Sequence, residues 1–282
     1  MGYENRDIPE GINVSETHPL KEFAWLAAGL IILVVFSVVA LSLAAEHLTR
    51  YIPFSVEQKA TASLSKRYTD EHPLSQQQLQ VQNYLQTLAN ALVIHQGLDD
   101  NMTIKIHYVD DDTINAFATL GGHIVVFKGL LQMMPHENAL SMVMAHEIAH
   151  IKHRDPIVSL GRGLTVYLAL TSIAGVGNNS AFEDVLGQTG LLTMMSFSRE
   201  QESAADREAM LTLKRYYGHL NGAAALFEML EHEKDEPNLP SFFNTHPLTD
   251  KRIKAIKGFA SSFRAEGDTT VKALPDFLRQ SL

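Results

Sequence analysis

His146, Glu147 and His150 stand in the order His-Glu-Ile-Ala-His. Residues four apart on a helix project from one face, a turn apart. Two imidazoles so placed can grip one zinc ion (Zn2+), and a carboxylate beside the first can take a proton from water that the metal activates. The chemistry on offer is hydrolysis. The flanking residues Leu140, Val143, Met144 and Ile148 are apolar, and two histidines and a glutamate are costly in such surroundings unless they have partners. A satisfied pair of core histidines is the competing reading.

Catalytic zinc generally keeps three protein ligands and one open position. His153 lies seven residues beyond His146, about 10 Å along a helix axis, too far to share a metal whose bonds are about 2 Å long. The metzincin pattern needs a glycine and a histidine where this chain has His153 and Pro156. The chain has no cysteine, which excludes disulfides, thiolate zinc sites, iron–sulfur clusters and cysteine nucleophiles. A carboxylate from a later helix remains, and the run Ser198 to Asp206 supplies one. Glu202 and Asp206 are four apart, so one face can give a metal ligand and an acceptor for the N–H of a bound histidine. A solvated acidic face is the alternative.

These residues must be positioned by an α+β domain with more helix than strand. Ser75 can cap a helix reaching about Gly97, with Val81, Leu85, Leu88 and Leu92 on one face. Thr103 to His107 alternates as a strand does, and a second extended run holds Asn115-Ala116-Phe117. Gly121-Gly122 then turns the chain into His123 to Phe127, as a short meander or hairpin. Pro135 is the expected first residue of the motif helix, which stops before Pro156. Further helices are expected from near Met195 to Tyr216, from Gly222 to Glu233, and from Thr249 onward.

Residues 23–45 carry no charge between Glu22 and Glu46. As a helix they rise about 34 Å, enough for a hydrocarbon core of about 30 Å. An uncleaved single-pass anchor is expected, the alternatives being a buried helix and a signal peptide cleaved after Ser42-Leu43-Ala44. The lipid bilayer is thus one partner. A second apolar run, 164–176, is too short to span and reads either as a buried helix or as a membrane-surface or re-entrant segment. The layout is a tail (1–22), an anchor (23–45), a linker (46–74), a folded domain (75–265) and a C-terminal tail (266–282). The chain has 282 residues, 45% of them hydrophobic, enough for a real core. With 32 acidic against 23 basic residues the net charge is -9, which argues against nucleic acid as a partner.

The joint pattern of Asn115-Ala116-Phe117, Gly121-Gly122, Gly129-Leu130-Leu131, His146 to Asp155, Ser198 to Asp206, and Thr245-His246-Pro247 with Arg252-Ile253 resembles the M48 family of zinc metallopeptidases, over roughly residues 75 to 260. The resemblance is to its single-membrane-anchor branch. It implies a gluzincin-type domain with a small sheet beside the active-site helix and one Zn2+ per chain on His146, His150 and Glu202, with Glu147 as general base and Asp206 supporting a ligand. It also implies an endopeptidase acting on membrane-associated or misfolded proteins, in a bacterial inner membrane. A latent or gated protein acting mainly as a chaperone or binding module is the alternative. Thr119-Leu120 stands where many relatives have a proline, which touches only the rigidity of the turn. An extended substrate is expected to add as a strand along the edge from Gly121 to Phe127, with Gly121 and Gly122 among its contacts and Asn115 orienting it. His246 either donates to the oxyanion, fills the open metal position as a gate, or caps the following helix. Arg252 either pairs with an active-site carboxylate or lies on a helix surface.

Overall fold

The helix that carries His146 and Glu147 is buried on every side, from Glu137 to Ile151. The computed structural model describes residues 18–49, 51–71, 73–174, 197–232, 242–247, 249–263 and 269–280. Among these the helices are α1 (Pro19–Thr49), α2 (Phe54–Glu71), α3 (Gln76–Gln96), α4 (Lys128–Met133), α5 (Glu137–Lys152), α6 (Asp155–Ala174), α7 (Arg199–Tyr217), α8 (Ala225–His232), α9 (Phe242–Thr245), α10 (Asp250–Ser262) and α11 (Asp276–Gln280). The strands β1 (Lys105–Val109), β2 (Ala116–Thr119) and β3 (His123–Phe127) form one small sheet. The expected helix start near Met195, the end of the apolar run at Val176 and the expected helix end at Glu233 lie outside the described residues.

The helix boundaries follow from the capping chemistry. Ser75 accepts from the Gln78 amide while the Gln78 side chain accepts from the Ser75 amide, and Gly97 closes α3 at φ 66°. Ser198 and Gln201 repeat this box at the start of α7, which ends at Gly218 with φ 77°. Each such cap stabilises its helix by about 1 kcal/mol. Helix α5 starts two residues later than Pro135, because the His136 side chain accepts from the Ala139 amide and caps it. As expected, α5 ends at His153, and Pro156 stands in the first turn of α6, where a missing N–H leaves no bond unmade.

The sheet differs from a meander. Strands β2 and β3 form the expected antiparallel hairpin, but β1 pairs parallel to β3, so the order is β1-β3-β2. Strand β3 is the continuous apolar one, with Ile124 and Val126 fully buried, and such a strand belongs in the middle of a sheet. Within the run from Gly121 to Phe127, the strand His123–Phe127 is therefore paired on both sides and is no edge for a substrate. The edge beside α5 is β2, whose alanines 116 and 118 allow close approach.

The segments read as a linker and a C-terminal tail each contain a packed helix. The linker 46–74 contains α2, seated by buried Phe54 and Glu57 against the β2–β3 turn. A Cβ on Gly121 would come within 2.5 Å of Thr61 Oγ1 and one on Gly122 within 1.9 Å of the Thr103 carbonyl, so this contact requires glycines. The C-terminal tail includes α11, and Leu274 and Leu278 join the core. There the Lys272 carbonyl accepts from the Glu137 amide at 2.8 Å, satisfying an orphan donor at the start of α5. Both segments look polar in sequence, and among the described side chains few of either are buried.

Glu57 ties α2 to the centre. Its Oε2 accepts from the Gly121 amide at 3.1 Å, and its Oε1 pairs with Arg154, whose Nε is 2.9 Å away. Arg154 stands at φ 64° between α5 and α6 and also donates to the Ile52 carbonyl at 2.7 Å. Glu57→Ala leaves the Arg154 guanidinium with the Ile52 carbonyl but no carboxylate, and the buried Gly121 amide unpaired, so a loss of about 3 kcal/mol is expected, read from the midpoint of denaturant unfolding. An unchanged midpoint would remove this clamp from the account.

Candidate active site

Helix α5 presents His146 and His150 one turn apart, with their Nε2 atoms 3.0 Å from each other. The outer nitrogen of each ring faces a carboxylate: His146 Nδ1 lies 3.0 Å from Asp206 Oδ1 and His150 Nδ1 lies 2.8 Å from Asp155 Oδ2. An Nδ1–H directed outward leaves the Nε2 lone pair facing inward, as metal ligation requires. Helix α7 brings Glu202 to the same point, 3.4 Å from His146 Nε2 and 3.5 Å from His150 Nε2. His246, just after α9, adds Nδ1 at 3.0 Å from Glu202 Oε1 and 3.3 Å from His146 Nε2. All four residues are buried, and their ligand atoms lie within 4.8 Å of one another.

The donor set fits a metal ion. Bonds of about 2.0–2.1 Å in tetrahedral geometry put ligand atoms about 3.3 Å apart, close to the spacings here. Two imidazole lone pairs held 3.0 Å apart repel unless a cation or proton lies between them. The surroundings also call for positive charge: burial alone would lower the His146 pKa, yet the bonds to Asp206 and Glu202 outweigh it and raise it to about 10. Burial would push the Glu202 and Asp206 carboxyls up, but His246 and the neighbouring histidines hold Glu202 well below the usual range, and Arg252 with His146 holds Asp206 below it. Both acids stay ionised.

Glu147 points at this cluster from within α5. Its Oε2 accepts from the Ala118 amide of β2 at 2.7 Å. Its Oε1, buried and without a hydrogen bond, faces His246 Nε2 at 3.4 Å. One strand amide thus fixes which oxygen faces the cluster.

Of the two readings of Arg252, the structure shows the buried ion pair. From α10, its Nε and Nη2 bond both oxygens of Asp206 at 2.7 and 2.8 Å, and its Nη1 lies 2.6 Å from Glu202 Oε2. His246 does not cap the following helix, since Thr249 accepts from the Arg252 amide in that role; the His246 ring stacks on Phe242 instead. Gly121 and Gly122 serve the turn and its contact with α2, and the Gly121 amide is already bonded to Glu57. Asn115, just before β2, keeps a buried Oδ1 without a hydrogen bond.

Several contributors escape a reading of motifs. Asp155 orients His150 and is itself held by Gln201, which donates to its Oδ1 at 2.8 Å. Phe197 stacks on His150 at 3.9 Å between ring centroids. The place of Asp155 five residues after His150, ahead of a proline, was the available signal for it. Phe197 and the Ala118 amide carried none.

Comparison with known proteins agrees with this geometry. Residues 75–260 match the pattern of peptidase family M48. The chain is similar to the mitochondrial metalloendopeptidase OMA1 of Schizosaccharomyces pombe, 29% identical over 192 residues covering 66% of this chain and 55% of that protein. It is similar to the beta-barrel assembly-enhancing protease of Escherichia coli, 28% identical over 64% of this chain and 39% of that protein. It is also similar to the metalloprotease LoiP of Escherichia coli, 30% identical over 61% of this chain and 68% of that protein. The chain thus spans about half, or less, of the first two relatives.

Proposed function

The chain belongs to peptidase family M48, and from that premise we propose that it is a membrane-anchored zinc endopeptidase that hydrolyses peptide bonds of membrane-associated or misfolded proteins. The observation that carries this reading is the convergence of His146, His150, Glu202 and His246 on one buried point, with Glu147 Oε1 beside it. His146, His150 and Glu202 would hold the zinc, which when bound would supply Lewis-acid polarisation of water and of the scissile carbonyl.

The remaining steps belong to the chain's own residues. Glu147 Oε1 accepts a proton from the attacking water and delivers it to the leaving amine, while the Ala118 amide keeps the other oxygen occupied. Asp206 and Asp155 fix the rings of His146 and His150, and Arg252 holds Asp206 and Glu202 together. An extended substrate adds along the side of β2 that is not paired with β3, next to the Ala118 amide that holds Glu147, with Asn115 at the start of that edge. Removal of the metal with a chelator is expected to abolish hydrolysis of casein by the detergent-purified chain, and stoichiometric zinc to restore it. Hydrolysis surviving complete metal removal would contradict the reading.

The location of His246 favours gating of this same enzyme over a chaperone without activity. Its ring fills the space between Glu202 and Glu147 that water and a carbonyl must enter. His246→Ala is expected to raise casein hydrolysis several-fold and to weaken retention of zinc. Unchanged turnover and unchanged metal affinity would remove His246 from the mechanism.

The anchor is α1, with a mean hydropathy of 2.8 over its most apolar window; it is the one helix among the described residues long and apolar enough to cross a membrane. A bacterial inner membrane is the proposed location. Extraction with alkaline carbonate is expected to leave the chain with the membrane, and its release would overturn the anchor.

A further inference from the structure

The second apolar run, too short to span by itself, forms the greater part of α6, and α6 packs along α1. The contact is close: a Cβ on Gly161 would lie 3.6 Å from Ala45 Cβ and 2.9 Å from Thr49 Cγ2. On α1 the half-buried positions Val34, Val38, Ser42, Ala45 and Thr49 recur at three and four residues, the spacing of one helix face. The large apolar side chains on the rest of α1 are open, with Phe36 at 69% and Leu43 at 64% exposure. The covered face runs back from Thr49 to Val34, about 22 Å, so α6 follows α1 into its apolar part.

Charge places the level at which this happens. Glu46 is the first charged residue after the apolar part of α1, and Arg162 stands one residue past the point where Gly161 meets Ala45. From Gly163 to Ala174, α6 carries no charge, over about 18 Å of helix. If α1 lies in a hydrocarbon core of about 30 Å, those residues lie in it too. At its other end α6 begins with Asp155, which bonds His150, six residues or about 9 Å from Gly161.

We propose that α6 enters the bilayer beside α1 as a second, intramolecular membrane element, and thereby holds the metal centre close to the lipid surface. This rests on α1 being the anchor and narrows the substrates to protein segments presented at that surface.

The cysteine-free chain is a clean background for the test. Nitroxide labels on single cysteines are placed at Leu33 in α1, at Leu168, Ala169 and Leu170 on successive sides of α6, and at exposed Ser203 in α7. The full-length chain is then reconstituted in phosphatidylethanolamine–phosphatidylglycerol vesicles. Collisions with oxygen, which concentrates in lipid, are expected to exceed those with a water-soluble nickel complex at Leu33 and at one or more of the α6 positions, and to fall below them at Ser203. Collisions with the nickel complex, or with neither agent, at all three α6 positions overturn the inference while leaving the anchor standing if Leu33 remains lipid-exposed. Nickel access at Leu33 overturns the anchor itself. Independently, Ala45→Cys with Gly161→Cys, and Thr49→Ser to relieve the close contact, is expected to form a disulfide in membranes, because the separation of 3.6 Å falls within the usual Cβ spacing of about 3.5–4.5 Å. No cross-link under oxidation would overturn the α1–α6 packing.

Discussion

Glu147→Gln is expected to lower casein hydrolysis by about a thousandfold, within the range found for removal of a general base, while zinc content stays at the wild-type level. The glutamine keeps the shape of the side chain and retains an oxygen for the Ala118 amide. What it loses is basicity at the atom that faces His246 and the cluster. None of the four converging donors is altered, so metal binding persists. Hydrolysis and metal content measured on the same sample separate the outcomes. A wild-type rate would exclude Glu147 as the base, whereas loss of zinc together with activity would mean that the substitution had damaged the site.

Arg252→Met carries the largest expected effect on stability. Arg252 is 3% exposed and bonds both oxygens of Asp206, with Nη1 also at 2.6 Å from Glu202. Without it, two buried carboxylates face each other with only the histidines between them. Breaking a buried pair in this way costs about 3–5 kcal/mol, measured as a fall in the urea midpoint of zinc-free protein. Arg252→Lys is expected to recover only part of the loss, since an ammonium is a point charge and cannot bridge both acids in a fixed fork. An unchanged midpoint for Arg252→Met would contradict the part given to this pair.

The chemistry of the centre was legible because it is local. His146, Glu147 and His150 lie on one helix turn, and Glu202 with Asp206 on another, so side-chain periodicity alone relates them. The cap at Ser75 was legible for the same reason. What joins the two helices was not. Arg252 reaches Asp206 across 46 residues and Glu57 reaches Arg154 across 97, and no spacing rule in a single chain marks such pairs. The sheet order failed on similar grounds: the hairpin β2–β3 is set by its glycine turn, whereas the parallel pairing of β1 with β3 is a tertiary choice that buries the most apolar strand. Segment 46–74 passed for a linker because α2 buries few side chains, Phe54 and Glu57 among them. His246 stood in a loop with three readings, and the placement of Thr249 as the cap removes one of them.

The most direct test of the metal centre is X-ray absorption at the zinc edge on the full-length, detergent-purified chain. The account predicts about one zinc per chain, bound only by nitrogen and oxygen, with imidazole scattering at about 2.0–2.1 Å that falls in His150→Ala. A chain without zinc, or zinc in a shell that lacks imidazole, would contradict it.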